Sequence, residues 1–241
     1  MDNKAITIKA DDYRFPTRDE RKAIYAAEPE LRPIGFDFTS PLVAILNENV
    51  LVKDAHQRDN LHWWDNCLQN RIYNLSQAYL NALVHFQRGI PDDLNDFEEH
   101  QYINRLQFDF YVETYYYFFA VTTDNIAQML NIFYGLGFKE TSIHFNEKFA
   151  TVLPANVRAE VERFFKSTRD AKEFRNSFTH RYPPNQVDNR SGVEINGDVA
   201  TFFSARGKVI KSSDFKNNIV TSQRELANLL DSLRTLLIPK K

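Results

Sequence analysis

The sequence predicts an all-α fold: a bundle of long helices with a small β-hairpin inserted before the last one. Three observations carry this. Glycine occurs only 7 times in 241 residues, which disfavours β-sandwiches and Gly-rich nucleotide loops. Two long stretches, 59–88 and 97–134, hold apolar residues at the 3-4 rhythm of an amphipathic helix. Aromatic residues are heavily used, with 20 Phe and 11 Tyr, and where they run consecutively they cover most of a helix circumference.

In chain order, residues 1–16 are mixed and irregular, with a short strand expected at Ala5–Lys9. Thr17-Arg18-Asp19-Glu20 has the form of a capping box and opens a short helix that ends before Pro29. Pro29, Pro33, Gly35 and Pro41 punctuate a loop, and the apolar run 42–52 follows as a short helix or strand. Residues 1–55 are thus expected to be an N-terminal extension packing on the bundle, and 56–241 the helical domain.

The first long helix is expected over Asp59–Arg88, capped by Gly89 and Pro91. Leu61, Trp64, Leu68, Ile72, Leu75 and Tyr79 mark its apolar face. The acidic stretch from Asp92 to Glu99 reads as a solvated link and helix start, since it lacks the ligand spacing of an EF-hand. The second helix runs from about Phe97 to Tyr134 and is ended by Gly135 and Gly137. Its Tyr115-Tyr116-Tyr117-Phe118-Phe119 suits a buried helix or a dimer interface better than a base-stacking platform.

A short helix is expected within Phe145–Leu153, and Pro154 begins another. The latter carries apolar Val157, Val161, Phe164 and Phe165 and leads through Arg169 into the next segment. After Pro184, the runs 193–195, 198–204 and 208–211 predict a hairpin with Arg206-Gly207 as its turn. The last helix, capped by Ser213 or Asp214, reaches about Ile238, with Phe215, Ile219, Leu226, Leu230 and Leu233 inward.

A net charge of −2 rules out a global basic field, but not an enzyme that grips a few phosphates locally. The single cysteine, Cys67, precludes an internal disulfide and fits a reducing, cytoplasmic setting. The N-terminus has no apolar signal core. The most apolar run, Phe108 to Val121, is short and carries Asp109 and Glu113, so no membrane span is expected. There is no Glu-x-x-His, no His-Glu-x-x-His and no cysteine pair, so no metal site is expected. No cofactor is expected either: Gly-x-Gly-x-x-Gly and the Walker lysine loop are missing, as is the Gly-x-Ser-x-Gly of a serine hydrolase.

The chemistry concentrates in Thr168–Pro184, a helix running into a double-proline stop. Asp170 and Glu173 sit near its start and Arg181 near its end, the charge order a helix dipole favours. Pro183 pushes Tyr182 out of the α region, so the helix finishes near His180 or Arg181. Phe174 and Phe178, at i and i+4, should face a core. Arg175 offers a permanently charged fork matching phosphate oxygens, and His180 is the side chain most readily tuned to move protons near neutrality. Residues five apart on a helix diverge by about 140°, so these two share a site only through a distorted last turn or a completing surface. A second copy across a two-fold axis supplies such a surface.

Arg175-Asn176-Ser177-Phe178-Thr179-His180-Arg181-Tyr182 resembles the Arg-x4-6-His signature of the HEPN superfamily, in its variant with Asn after Arg and Tyr two beyond His. Requiring the Asn and Tyr lowers the chance expectation of such a match to roughly 0.002. The resemblance covers these residues and the helical layout of 56–238. It implies a HEPN-like bundle acting as a metal-independent endoribonuclease, with RNA as substrate and a homodimer as the working form. Arg175 and His180 would be catalytic, with Asn176 and Tyr182 supporting. Lys172 and Arg181 are weaker candidates for phosphate contacts. It also implies a place in toxin–antitoxin or phage-defence systems, with an antitoxin or regulatory partner. The alternative is a non-catalytic helical interaction or RNA-binding module that retains the motif.

Overall fold

The computed structural model describes residues 13–27, 52–92, 98–188, 190–204 and 209–237. Helix α1 spans Arg18–Ala27, α2 Val52–Gln87 and α3 Glu99–Phe133. A 3-10 turn at Glu140–Ser142 leads to the short α4, Glu147–Ala150, then α5, Ala155–Ser167, and α6, Arg169–His180. Strands β1 (Ser191–Asn196) and β2 (Val199–Ser204) pair antiparallel before the final helix α7, Ser212–Leu237. This is the predicted all-α bundle with its hairpin before the last helix.

The antiparallel pair α2 and α3 forms the frame. Near the start of α2, Gln57 Nε2 donates to the carbonyls of Ile132 and Phe133 at 2.9 and 3.2 Å, closing the end of α3. Near the other end, His85 Nδ1 lies 3.3 Å from Asn104 Oδ1. Between them Leu68, Leu75 and Tyr79 of α2 meet Phe108, Val112 and Tyr115 of α3, all buried. Each contributes about 1.5–3 kcal/mol by leaving water. Gln57 also explains why α2 begins seven residues before the expected Asp59: the polar stretch lacks apolar rhythm and is held by side-chain bonds instead.

Helix α3 ends in a Schellman turn. Gly135, at φ 60°, donates to Ile132 O at 3.2 Å, and Leu136 donates to Asn131 O at 3.0 Å. The chain then turns back along α3, held by a polar ladder at 3-4 spacing. Asn131 exchanges two 3.1 Å bonds with the backbone of Phe138, Gln128 Nε2 donates to Glu140 O at 2.8 Å, and Asp124 Oδ1 accepts from Phe145 N–H at 2.9 Å.

Helix α7 crosses the frame. The Tyr115 hydroxyl pairs with Ser222 Oγ at 2.9 Å, and that of Tyr116 donates to Asn218 Oδ1 at 2.8 Å. The expected cap at Ser213 or Asp214 is replaced by a distant one: Asp92 accepts from Ser213 N–H at 2.9 Å and from its hydroxyl at 2.6 Å. Helix α1 is opened by the expected capping box, Thr17 with Glu20 at 2.7 and 3.3 Å, and lays buried Ile24 on α2. The expected strand at 5–9, the loop at 29–41 and the apolar run as far as Leu51 lie outside the described residues.

The hairpin turns at Gly197-Asp198, not at Arg206-Gly207. Asn196 and Val199 are register partners, and Gly197 supplies the left-handed φ of 62° that a two-residue turn requires. Arg206-Gly207 lies outside the described residues.

Candidate functional site

The site is built on α6. Thr168 separates it from α5, where the sequence alone suggests one path. The Thr168 hydroxyl donates to Phe164 O at 2.7 Å, and its backbone leaves helical values at φ −109°, ψ 17°. This local side-chain bond competes with the helix and redirects it. The change of direction lets α6 lay Phe174 and Phe178 against Tyr116 and Phe215, with ring centroids 5.0–5.9 Å apart. The expected core-facing pair is therefore seated as expected.

That anchoring sets where the polar residues go. Lys172, Arg175 and Asn176 border a cavity of about 260 Å³ between α6, α5, α3 and the loop before α4. Arg175 is half-buried, and among the described residues its guanidinium makes one hydrogen bond, Nη1 to Asn176 Oδ1 at 3.1 Å. His180 lies at the exposed end of the helix and does not line the cavity. Within one chain, then, the structure does not bring Arg175 and His180 together. Asn176 lies between them in angle: next to Arg175 in sequence, it is also one turn before His180, about 40° away on the helical wheel.

The other candidates occupy distinct places. Lys172 Nζ pairs with Glu147 at 2.9 and 3.2 Å, and Arg181 Nη1 with Glu173 at 3.3 Å; both pairs are largely exposed. Such pairs contribute little and exchange readily. Tyr182 is turned into the following loop. Its hydroxyl donates to Val187 O, and the Arg190 guanidinium stands 5.1 Å from its ring centroid, held in turn by Asp188 at 2.6 and 2.9 Å. The Arg190 fork holds the Asp188 carboxyl down at about 2.

The motif alone does not reveal that the cavity also includes Asp124, His144, Phe145 and Phe165. These lie far from the motif in the chain, and only the polar ladder on α3 delivers the loop carrying His144 and Phe145. The one legible signal was the ladder's spacing, Asp124, Gln128 and Asn131 on a single helix face. Among the described residues, no group of three or more His, Cys, Asp or Glu could hold a metal ion, and no helix is long and apolar enough to cross a membrane.

A helical bundle whose penultimate helix ends in Arg-Asn-x3-His before a proline stop defines a class of protein. The chain matches the family model described as HEPN_Cthe2314-like HEPN over residues 64–237, which takes in α6 and the whole motif, and it belongs to that HEPN family. No curated protein and no solved structure matches it significantly.

Proposed function

We propose that this protein is a HEPN-type endoribonuclease that cleaves RNA without a metal ion, at a site completed by a second copy of the chain. The ribose 2′-oxygen attacks the adjacent phosphorus, a new O–P bond forms, and the bond to the 5′-oxygen breaks. The products are a 2′,3′-cyclic phosphate and a free 5′-hydroxyl. His180 exchanges the proton at the attacking or leaving oxygen. Arg175 stabilises the charge that grows on the non-bridging oxygens. Asn176, already bonded to Arg175, orients that guanidinium toward the phosphate and lies on the side of the helix facing His180.

One observation carries the reading. The two motif side chains point to different sides of α6, and neither is consumed by packing within the chain. A relic retained only for structure has no need of a half-buried guanidinium with spare donors and an exposed imidazole one and a half turns away. Tyr182 then shapes the loop after the helix, and Lys172 and Arg181 supply phosphate contacts by releasing their surface carboxylates.

The test is cleavage of mixed-sequence RNA by wild type, Arg175→Ala and His180→Ala, with circular dichroism as a fold control. Each substitution is expected to lower the rate by 10² or more, with wild-type activity unchanged by EDTA. Activity that survives both substitutions, or that EDTA removes, refutes the proposal. RNA binding with no product identifies the non-catalytic module instead.

A further inference from the structure

The cavity beside Arg175 is larger and more aromatic than phosphate chemistry requires. We propose that it is a base pocket, taking the nucleobase attached to the phosphate that Arg175 holds, and that it favours guanine. This rests on the ribonuclease reading of the same site and adds what that reading leaves open, the preferred substrate.

The walls point to a planar heterocycle. Phe145 and Phe165 are half-buried, with ring centroids 5.1 Å apart and planes at 70°. A base entering the 260 Å³ space stacks on one ring and meets the edge of the other. Phe164 and Phe119 back this corner and fix it, both buried and stacked at 5.9 Å. Tyr115 and Tyr116, in the run expected to be buried or at an interface, are sealed in the core, and the rings offered to a base, Phe145 and Phe165, come from other elements.

The polar end selects among bases. Asp124 Oδ1 accepts from Phe145 N–H at 2.9 Å, while Oδ2 has no partner among the described residues. A carboxylate only accepts hydrogen bonds. Guanine presents two adjacent donors on its Watson–Crick edge, N1–H and the 2-amino group. Adenine and cytosine each set one amino group beside a ring acceptor that a carboxylate repels, and uracil sets one N–H between two carbonyls. Lys172 and Arg175, three residues apart on one helix, also line the cavity and carry the charge for the attached phosphate. The same cavity therefore holds a stacking corner, an acceptor and two cations, the groups that a base and its phosphate call for.

The experiment measures binding of 5′-GMP, AMP, CMP and UMP to the full chain by titration calorimetry, alongside mapping of cleavage sites in RNA. Wild type should bind GMP at least tenfold more tightly than the other three. Asp124→Asn keeps an oxygen for Phe145 N–H but replaces the free one with a donor, and should erase that preference. Phe165→Leu keeps bulk, removes the stacking face, and should weaken GMP binding about tenfold. Equal binding of all four, no binding of any, or a GMP preference unchanged in both variants overturns the base pocket, whether or not RNA is cut. GMP preference that responds to both variants in a protein that cleaves no RNA sustains the pocket and removes the ribonuclease reading.

Discussion

Arg105 ties the end of the candidate helix to the frame, and its removal has a calculable cost. On α3 the side chain is buried, with 7% of it exposed. Its Nε donates to Asp109 Oδ2 at 2.8 Å, Nη1 to the buried Ser212 Oγ at 2.7 Å, and Nη2 to Asn185 O at 3.3 Å. One guanidinium thus joins α3 to the first turn of α7 and to the loop just after the double proline that ends α6. Arg105→Ala leaves the Asp109 carboxylate without its cation. Stranding a fully buried partner costs about 3–5 kcal/mol, and because Asp109 retains some access to water the lower end applies, about 3 kcal/mol. For a chain of this length that corresponds to a fall in Tm of about 6–12 °C.

The same node has a pH signature. Burial pushes the Asp109 carboxyl above its ordinary value of 3.8, and Arg105 pulls it back. A carboxyl raised in the folded state binds more protons there than in the unfolded chain, so stability falls as pH rises from the ordinary value toward the raised one. Without Arg105 the folded value rises further. The variant's deficit should therefore be larger at pH 8 than near pH 4. Urea unfolding followed by fluorescence of the half-buried Trp64 reads both quantities, and the double variant Arg105→Met/Asp109→Leu should recover at least half of the loss. A deficit under about 1 kcal/mol, or a double variant weaker than Arg105→Ala, refutes the assignment.

Three further outcomes concern the frame. Arg88 grips Glu20 with two bonds of 2.8 and 2.9 Å and, with Thr17, holds its carboxyl at about 2 against an ordinary 4.5. That stabilisation is complete above 4.5 and is lost as pH falls toward 2. Since the carboxylate is substantially solvated, Glu20→Gln should cost only about 1 kcal/mol at neutral pH, with thermal melts converging in acid. Tyr115→Phe removes the buried hydroxyl bonded to Ser222 Oγ and should cost about 1 kcal/mol in urea unfolding. Burial pushes the Tyr115 and Tyr116 phenols upward, so tyrosinate absorbance from both should emerge only with alkaline unfolding.

Legibility followed the range of the forces involved. Helix rhythm, the Gly135 stop and the Pro183 stop are local, and the three long helices could be placed from them. The inward pair Phe174 and Phe178 was equally plain, because i, i+4 spacing leaves little freedom about which face they share. What escaped depends on partners distant in the chain. The cap of α7 comes from Asp92, and the early start of α2 rests on Gln57 reaching the end of α3. The hairpin turn is expected at Arg206-Gly207 and lies at Gly197-Asp198, because strand register, which the sequence does not display, decides where the pair closes. In the site, Arg175, Asn176 and His180 stood out as a motif, whereas Asp124, Phe145 and Phe165 acquire meaning only once the loop after α3 folds back.

The composite arrangement makes a demand that a site within one chain does not. Arg175 and His180 stand about 140° apart on one regular helix, and Phe174 and Phe178 hold that helix in place against Tyr116 and Phe215. If each active site instead takes Arg175 from one copy and His180 from the other, the two defects lie in separable places. Unfolding and refolding Arg175→Ala together with His180→Ala yields mixed dimers as half of the population. Each mixed dimer has one site with both lesions and one with none, so about a quarter of wild-type activity should return from two inactive proteins. The mixing ratio that maximises activity should be equal amounts. No recovery, with wild type active after the same treatment, rules out exchange of these side chains between copies.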